Sequence, residues 1–134
     1  MLLDTSGLLC CLDASETRHQ AAVTFFEAEP RKITHNYVLV EFVALAHARR
    51  YPRHIALSFV ADIATHPDIE VVWVDEKRHA AALAMLRAQL DKSYSLCDAV
   101  SFLLMRERAV RDALTTDRHF EQAGFRRLLP DSAG

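Results

Sequence analysis

Four acidic side chains of this sequence stand where carboxylates could act together. Asp4 ends the first apolar run of the chain, and Asp117 directly follows the apolar run at 113–116. In an open parallel α/β sheet, ligands bind outside the carboxyl ends of the strands, which is where both acids are expected. Asp98 falls in the first turn of a predicted helix, whose amino end points toward the same edge. These placements predict a shared site at that edge.

Glu41 lies in a segment that predicts a helix from residue 37 to about residue 49. The residues three and four positions from it are apolar or amphipathic, namely Tyr37, Val38, Ala44 and Leu45. We therefore expect Glu41 to face inward. A buried carboxylate costs several kcal/mol unless it is paired or binds a metal, and no Lys or Arg lies one turn away to pair with it. A bound metal ion would resolve this cost.

Oxygen-rich sites suit Mg²⁺ or Mn²⁺, which prefer carboxylates to thiols and imidazoles. Such an ion can acidify a water and offset charge on a phosphate, which are the two things that hydrolysis of a phosphodiester near neutral pH requires. Asp4 and Asp117 are expected as direct ligands, Asp98 completes the first ion, and Glu41 contacts metal or water. Singly, each aspartate could instead be a helix cap or a dipole partner. Asp91 is the reserve acid.

Other kinds of site find little support. The seven histidines show no paired spacing, so a zinc site is not expected, and the common nucleotide-binding and esterase motifs are missing from the sequence. Three cysteines without ligand spacing are typical of reduced, buried thiols in a cytoplasmic protein. No signal peptide and no run of roughly 18 apolar residues is present, so we expect no membrane association.

Short apolar runs alternate with longer helical patterns, which indicates an α/β fold with helices on both faces of a parallel sheet. The predicted strands are 1–4, 32–34, 69–74, 113–116 and 127–129. The predicted helices are a short one capped by Ser6, then 17–29, 37–49, one opened by Pro52, 76–90, one from Ser95 to about 108, and a short one between Asp117 and Gly124. With no linker or repeat, residues 1–134 are expected to form one domain.

Four segments of the chain match one known family in order, spacing and flanking residues. They are Leu2-Leu3-Asp4-Thr5-Ser6, Asn36-Tyr37-Val38-Leu39-Val40-Glu41, Tyr94-Ser95-Leu96-Cys97-Asp98-Ala99-Val100-Ser101-Phe102, and Leu114-Thr115-Thr116-Asp117-Arg118-His119-Phe120 with Gly124-Phe125 beyond. The sequence resembles the PIN-domain family, and within it the VapC-type ribonuclease toxins of bacterial toxin–antitoxin modules. The resemblance extends over nearly the whole chain.

The resemblance implies a three-layer α/β/α sandwich with a parallel sheet of about five strands. It also implies a catalytic and metal-binding cluster of Asp4, Glu41, Asp98 and Asp117, endonucleolytic cleavage of RNA, a homodimer, and a cognate antitoxin. Ser6 and Thr116 could orient ligands or the scissile phosphate, and Arg118 is favoured for an RNA backbone contact. The family often adds a polar residue near the last acid, for which Thr115, Thr116 and His119 are the candidates here.

Two other functions remain open. The chain could be a PIN nuclease outside a toxin module, for instance in RNA maturation, or a catalytically inactive PIN-like module that only binds protein. The net charge of −2 is lower than an avid RNA binder would carry, although removing four clustered acids from the count leaves a mildly basic remainder. A phosphate-receiving signalling domain fits poorly, because the expected paired acids and lysine partner are missing from the sequence.

Overall fold

The computed structural model describes residues 1–131, so the predicted domain 1–134 includes three residues that lie outside the described part. Five strands and seven helices follow one another along residues 1–131. In chain order they are β1 (Leu2–Leu3), α1 (Thr5–Leu12), α2 (His19–Ala28), β2 (Lys32–His35), α3 (Asn36–Ala48), α4 (Arg53–Thr65), β3 (Ile69–Val72), α5 (Glu76–Ala88), α6 (Leu96–Glu107), β4 (Asp112–Leu114), α7 (Arg118–Gln122) and β5 (Arg126–Arg127).

The five strands form one parallel sheet in the order β3-β2-β1-β4-β5. The chain first adds strands on one side of β1 and then crosses to add β4 and β5 on the other side. The connection that follows β1 therefore leads toward β2, and the one that follows β4 leads the opposite way, toward β5. A topological switch of this kind opens a crevice at the carboxyl ends of the two strands, where ligands bind in open α/β sheets.

Two hydrophobic cores lie on opposite faces of the sheet and share its central strand. Successive residues of a strand point to opposite faces, and both leucines of β1 are fully buried. Leu3 packs in the core formed by α1, α2, α3 and α4, which includes Leu8, Val38, Phe42 and Ile63. Leu2 packs in the other core with residues of α6 and α7, which include Phe102, Leu104 and Phe120. The predicted three-layer α/β/α sandwich is confirmed.

Several element boundaries differ from the predicted ones. The first helix begins at Thr5 with Asp4 as its N-cap residue, so Ser6 lies inside the helix and does not cap it. Strand β3 ends at Val72 because the chain then leaves β2, and the Val74 amide donates instead to Asn36 Oδ1 at 2.6 Å. Across residues 1–131, no helix has both the length and the apolar character needed to cross a bilayer.

Candidate active site

Asp4 sits at the junction of β1 and α1, and its side chain is almost fully enclosed, with 4% of the residue exposed. Its carboxylate accepts a hydrogen bond from Thr115 Oγ1 at 2.7 Å and a longer one from Ser6 Oγ at 3.4 Å. Burial raises the pKa of Asp4 to about 7, outweighing the Thr115 hydrogen bond, and the charges of Asp98 and Glu41 raise it further. The carboxylate therefore resists ionisation unless a cation is nearby.

The hydroxyls of Ser6 and Thr115 connect the two segments that diverge at the switch point. Thr115 Oγ1 accepts from the Asp117 amide at 3.0 Å, and Ser6 Oγ accepts from the Thr116 amide at 3.0 Å. The two hydroxyl oxygens are themselves 3.2 Å apart. The closer of the two hydroxyls that contact Asp4 thus belongs to Thr115, and Thr116, which is predicted to orient ligands or the scissile phosphate, joins these hydrogen bonds through its main-chain amide. Strand β4 ends at Leu114, so the backbone turns and presents Thr115 to Asp4.

Asp98 is the third helical residue of α6, and it closes a capping box with Ser95. The Asp98 amide donates to Ser95 Oγ at 2.9 Å, and Asp98 Oδ2 accepts from the Ser95 amide at 3.0 Å. Burial is the main cause that raises the pKa of Asp98, and the charge of Asp117 adds to it. Within residues 1–131, no hydrogen bond involves Asp98 Oδ1. That oxygen remains available to a ligand.

Asp117 is the N-cap residue of α7, where its Oδ1 accepts from the His119 amide at 2.9 Å. The His119 ring turns back toward the acids, with Nδ1 2.9 Å from Asp98 Oδ2 and 3.4 Å from Asp117 Oδ2. One ligand atom from each of these three residues lies within 4.8 Å of the others. Sequence reasoning named His119 only as one of three possible additional residues. Its position two residues after Asp117, in the first turn of a helix, was the available signal.

Glu41 is exposed, which corrects the expectation that it faces inward. The buried face of α3 is formed by Val38, Leu39, Phe42 and Ala46, and Glu41 lies at the edge of that face. The expectation failed because Ala44, like Ala48, is itself exposed, and alanine does not distinguish a buried position from an exposed one.

The Glu41 carboxylate nevertheless lies near the other acids. Its charge raises the pKa of Asp4. It also raises the pKa of the Cys97 thiol, for which burial is the largest cause and the charges of Asp4 and Asp98 also contribute. Cys97 is a buried free thiol, as predicted, and it lies beneath this group of acids. Glu41 is therefore placed at the solvent side of the group and Asp4 at its buried side.

The sequence similarity of this chain to a known protein family covers nearly its whole length. The family model described as the PIN domain matches residues 1–126. The chain belongs to the PIN-domain family. This result confirms the resemblance seen in the sequence, and the match includes the segments that carry Asp4, Glu41, Asp98 and Asp117.

This PIN domain is also similar to one toxin endonuclease along almost its whole length. The 23S rRNA-specific endonuclease VapC20 of Mycobacterium tuberculosis, strains CDC 1551 / Oshkosh and ATCC 25618 / H37Rv, is 28% identical over 132 residues, which are 98% of this chain and 99% of VapC20. The crystal structure of Mycobacterium tuberculosis VapC20, described as a Sarcin-Ricin loop cleaving toxin, superposes with a TM-score of 0.86 at 28% identity. It covers 96% of this chain and 98% of that chain. The chain is a homologue of a VapC toxin ribonuclease.

Arg118 follows the last acid of the PIN domain, but its side chain points away into solvent. The side chain is 72% exposed, and its guanidinium pairs with Asp131 Oδ2 at 2.7 Å. Exposed ion pairs of this kind contribute little to stability and exchange readily. The Arg118 guanidinium is therefore accessible from solvent and is held only by a surface ion pair in this structure.

The residues of this PIN domain fit a divalent cation. Asp4 and Asp98 are buried acids whose pKa values are raised by burial and by neighbouring negative charge. Asp117 and Glu41 add carboxylates from two further elements. Buried acids that repel one another are unfavourable without a counter-charge, and a hard divalent ion supplies it through oxygen ligands. The chemistry of the donors therefore suits the metal that the family relationship implies.

Proposed function

We propose that this chain is a divalent-metal-dependent endoribonuclease that hydrolyses RNA phosphodiester bonds. The observation that carries the proposal is the convergence of Asp4, Asp98, Asp117 and Glu41, from four separate elements, at the β1–β4 switch point. Burial raises the pKa of both Asp4 and Asp98, and a neighbouring carboxylate raises each further, Asp98 for Asp4 and Asp117 for Asp98; few purely structural roles would favour this. The relationship to a VapC endonuclease supports RNA as the substrate class.

Each side chain has a defined part in this proposal. Asp4, Asp98 and Asp117 would hold the ion, either Mg²⁺ or Mn²⁺, and Glu41 at the solvent side would contact the ion or the attacking water. Thr115 and Ser6 fix the carboxylate of Asp4 through the hydrogen bonds at 2.7 and 3.4 Å. Thr116 and Arg118 line the approach of the RNA backbone. When bound, the ion supplies Lewis-acid stabilisation of the phosphate and a more acidic water.

The family relationship also supports a biological setting. We infer that the chain is the toxin of a type II toxin–antitoxin module, that it acts in the cytoplasm, and that it forms a homodimer bound by a cognate antitoxin. Because the related VapC20 is described as cleaving the Sarcin-Ricin loop, the corresponding 23S rRNA hairpin is the first substrate to test. The inference of an antitoxin predicts a small adjacent gene whose product copurifies with this chain.

The decisive experiment measures cleavage of that hairpin and of unrelated structured RNAs by purified, antitoxin-free protein. We expect cleavage with Mn²⁺ or Mg²⁺, none with EDTA, and a loss of more than about a hundredfold in Asp98→Asn, because one charged ligand is removed. Asp91→Asn is the matched control, since Asp91 is an exposed acid that pairs loosely with Lys92 at 3.8 Å. Equal cleavage by wild type and Asp98→Asn would disprove the mechanism.

Two alternatives make different predictions in the same assays. A PIN nuclease of RNA maturation would cleave RNA with the same metal and residue dependence but would have no adjacent antitoxin gene. A PIN-like module that only binds protein would show no Mn²⁺-dependent cleavage, and Asp4→Asn would leave its partner binding intact. The close grouping of Asp98, Asp117 and His119, with one ligand atom from each within 4.8 Å of the others, supports the nuclease.

A further inference from the structure

His119 is the imidazole that lies among the acids of this site. Its Nδ1 atom is 2.9 Å from Asp98 Oδ2 and 3.4 Å from Asp117 Oδ2, so a single nitrogen faces carboxylates from two different helices. Asp117 is brought close by the hydrogen bond that its Oδ1 accepts from the His119 amide, and its other oxygen, Oδ2, is the one that lies near the ring nitrogen. Ligand atoms roughly 2.1 Å from one ion are about 3 Å apart at neighbouring octahedral positions. The two Nδ1 distances are close to this separation, and one ligand atom from each of the three residues lies within 4.8 Å of the others.

The opposite side of the ring is arranged to hold it in this orientation. His119 Nε2 lies 3.1 Å from Ser93 Oγ, and the Tyr94 ring packs edge-on with the ring centroids 5.4 Å apart. The next residue, Phe120, is fully buried and anchors α7. Histidines that bind metals usually donate their second ring N–H to a fixed acceptor, which fixes the tautomer and leaves the first nitrogen free to coordinate. Ser93 Oγ lies at hydrogen-bonding distance from Nε2 and can be that acceptor.

We propose that His119 Nδ1 coordinates the divalent ion together with Asp98 and Asp117, and that this nitrogen makes the site prefer Mn²⁺ over Mg²⁺. The proposal rests on the metal-dependent function proposed above and specifies its ion. Both ions prefer oxygen ligands, but Mg²⁺ demands them in nearly regular octahedral geometry, whereas Mn²⁺, a first-row transition metal, binds a single imidazole nitrogen more strongly than Mg²⁺ does. A site with carboxylate ligands alone would lack this nitrogen and its preference for Mn²⁺ over Mg²⁺.

The test uses Mn²⁺ itself as the probe and does not depend on catalysis. Pulsed electron paramagnetic resonance of Mn²⁺ bound to the whole chain detects ¹⁴N coupling from a directly coordinated imidazole. Calorimetric titration with Mn²⁺ and with Mg²⁺ then gives the affinity ratio. The variants are His119→Asn and His119→Asp, with His54→Asn as the matched control because His54 is an exposed histidine on α4. Thermal unfolding confirms that each variant is folded.

We expect the ¹⁴N coupling in wild type and in His54→Asn but not in either His119 variant. The Mn²⁺ affinity of His119→Asn should fall by about tenfold or more, and His119→Asp should bind both ions with a smaller preference for Mn²⁺. Mn²⁺ binding without ¹⁴N coupling in wild type would overturn the role of His119 and leave the proposed nuclease intact. No Mn²⁺ or Mg²⁺ binding by wild type would overturn both proposals.

Discussion

At the scale of single residues, Asp98 has one role that the structure shows, as part of the helix cap, and one that we propose, as a ligand of the ion. Its Oδ2 atom closes the capping box of α6 and contacts His119, while Oδ1 is not engaged by a hydrogen bond within residues 1–131. A side chain already fixed by its own helix loses little further conformational freedom when it binds a ligand. The cap would therefore prepare the Asp98 carboxylate for the proposed ion and would not compete with its binding.

The hydroxyl of Thr115 should contribute measurably to the stability of the folded chain, because it hydrogen-bonds both Asp4 and the Asp117 amide. Thr115→Val keeps the shape of the side chain but removes the hydrogen bond to Asp4 and leaves the Asp117 amide without its acceptor. We expect the free energy of unfolding to fall by about 1–3 kcal/mol, measured by urea denaturation. Thr115→Ser keeps the hydroxyl and is the control. A Thr115→Val protein as stable as wild type would show that these hydrogen bonds contribute nothing net.

Asp4 should make the stability of the metal-free protein depend on pH. Its pKa is about 7 in the folded chain and near 3.8 when unfolded, so the folded state holds an extra proton between these values. Protonated Asp4 therefore contributes fully to the free energy of unfolding at low pH, and this contribution is lost as the pH rises toward 7. The asparagine side chain of Asp4→Asn does not titrate. The free energy of unfolding of this variant should therefore rise relative to that of wild type by roughly 2–3 kcal/mol as the pH goes from 5 to 8.

The measurement is urea unfolding of both proteins in EDTA at several pH values. A stability difference between Asp4→Asn and wild type that stays constant with pH would contradict a raised pKa of Asp4 in the folded chain. Added Mn²⁺ should reverse the order at pH 8, because the ion binds the wild-type carboxylate more strongly than the amide.

Sequence patterns located the acids better than they described their surroundings. Asp4, Asp98 and Asp117 follow strand ends or open helices, positions that short-range rules identify well. The exposure of Glu41 could not be inferred, because the neighbouring alanines carry no information about burial. The contacts of Thr115 and His119 depend on residues 111 and 21 positions away, and only the tertiary structure brings such pairs together.

At the scale of elements, helix α1 lies unusually close to strand β4. A β-carbon on Gly7 would overlap the carbonyl oxygen of Leu114, so only glycine allows α1 to approach the sheet at this point. This approach brings Ser6 within reach of Thr115 and Thr116. The position of one glycine thus determines whether the two halves of the site can meet.

Gly7→Ala should therefore destabilise the protein by about 3 kcal/mol or more, since the overlap is with backbone and not with a flexible side chain. Gly124→Ala is the comparison, because Gly124 has a φ of +94° with nothing within 4 Å of the added carbon. It should cost only about 1–2 kcal/mol, from backbone strain alone. Urea denaturation of both variants measures the difference, and equal losses would contradict a steric role for Gly7.

The types of the helices and strands could be predicted because each has a strong local sequence pattern. The residues at which they begin and end could not. The predicted strand at 127–129 is instead β5 at Arg126–Arg127, although the Leu128 and Leu129 amides still donate to β4 and its following turn at 3.0 and 3.1 Å. The start of α1 was misplaced because serine is a common cap, whereas Asp4 precedes Ser6 at the end of β1. These errors arise where tertiary contacts override local preference.

At the scale of the whole molecule, ion binding and folding should be linked. The site joins both sides of the switch point, so an ion that binds only the folded chain must raise the free energy of unfolding. The expected gain is about 2.7 kcal/mol when Mn²⁺ is present at a hundred times its dissociation constant. Thermal unfolding with and without Mn²⁺ measures it, and EDTA should reverse it. Asp98→Asn should show little gain, whereas Asp91→Asn should match wild type.

The hydrogen bond between Thr115 and Asp4 spans 111 residues of sequence. During synthesis, the amino-terminal acid emerges first, but the hydroxyl and the last carboxylate that complete its surroundings are translated only near the end of the described chain. A nascent chain therefore cannot assemble this site until β4 and α7 have left the ribosome. If the protein cleaves ribosomal RNA as proposed, the order of translation itself delays its toxicity to the ribosome that makes it.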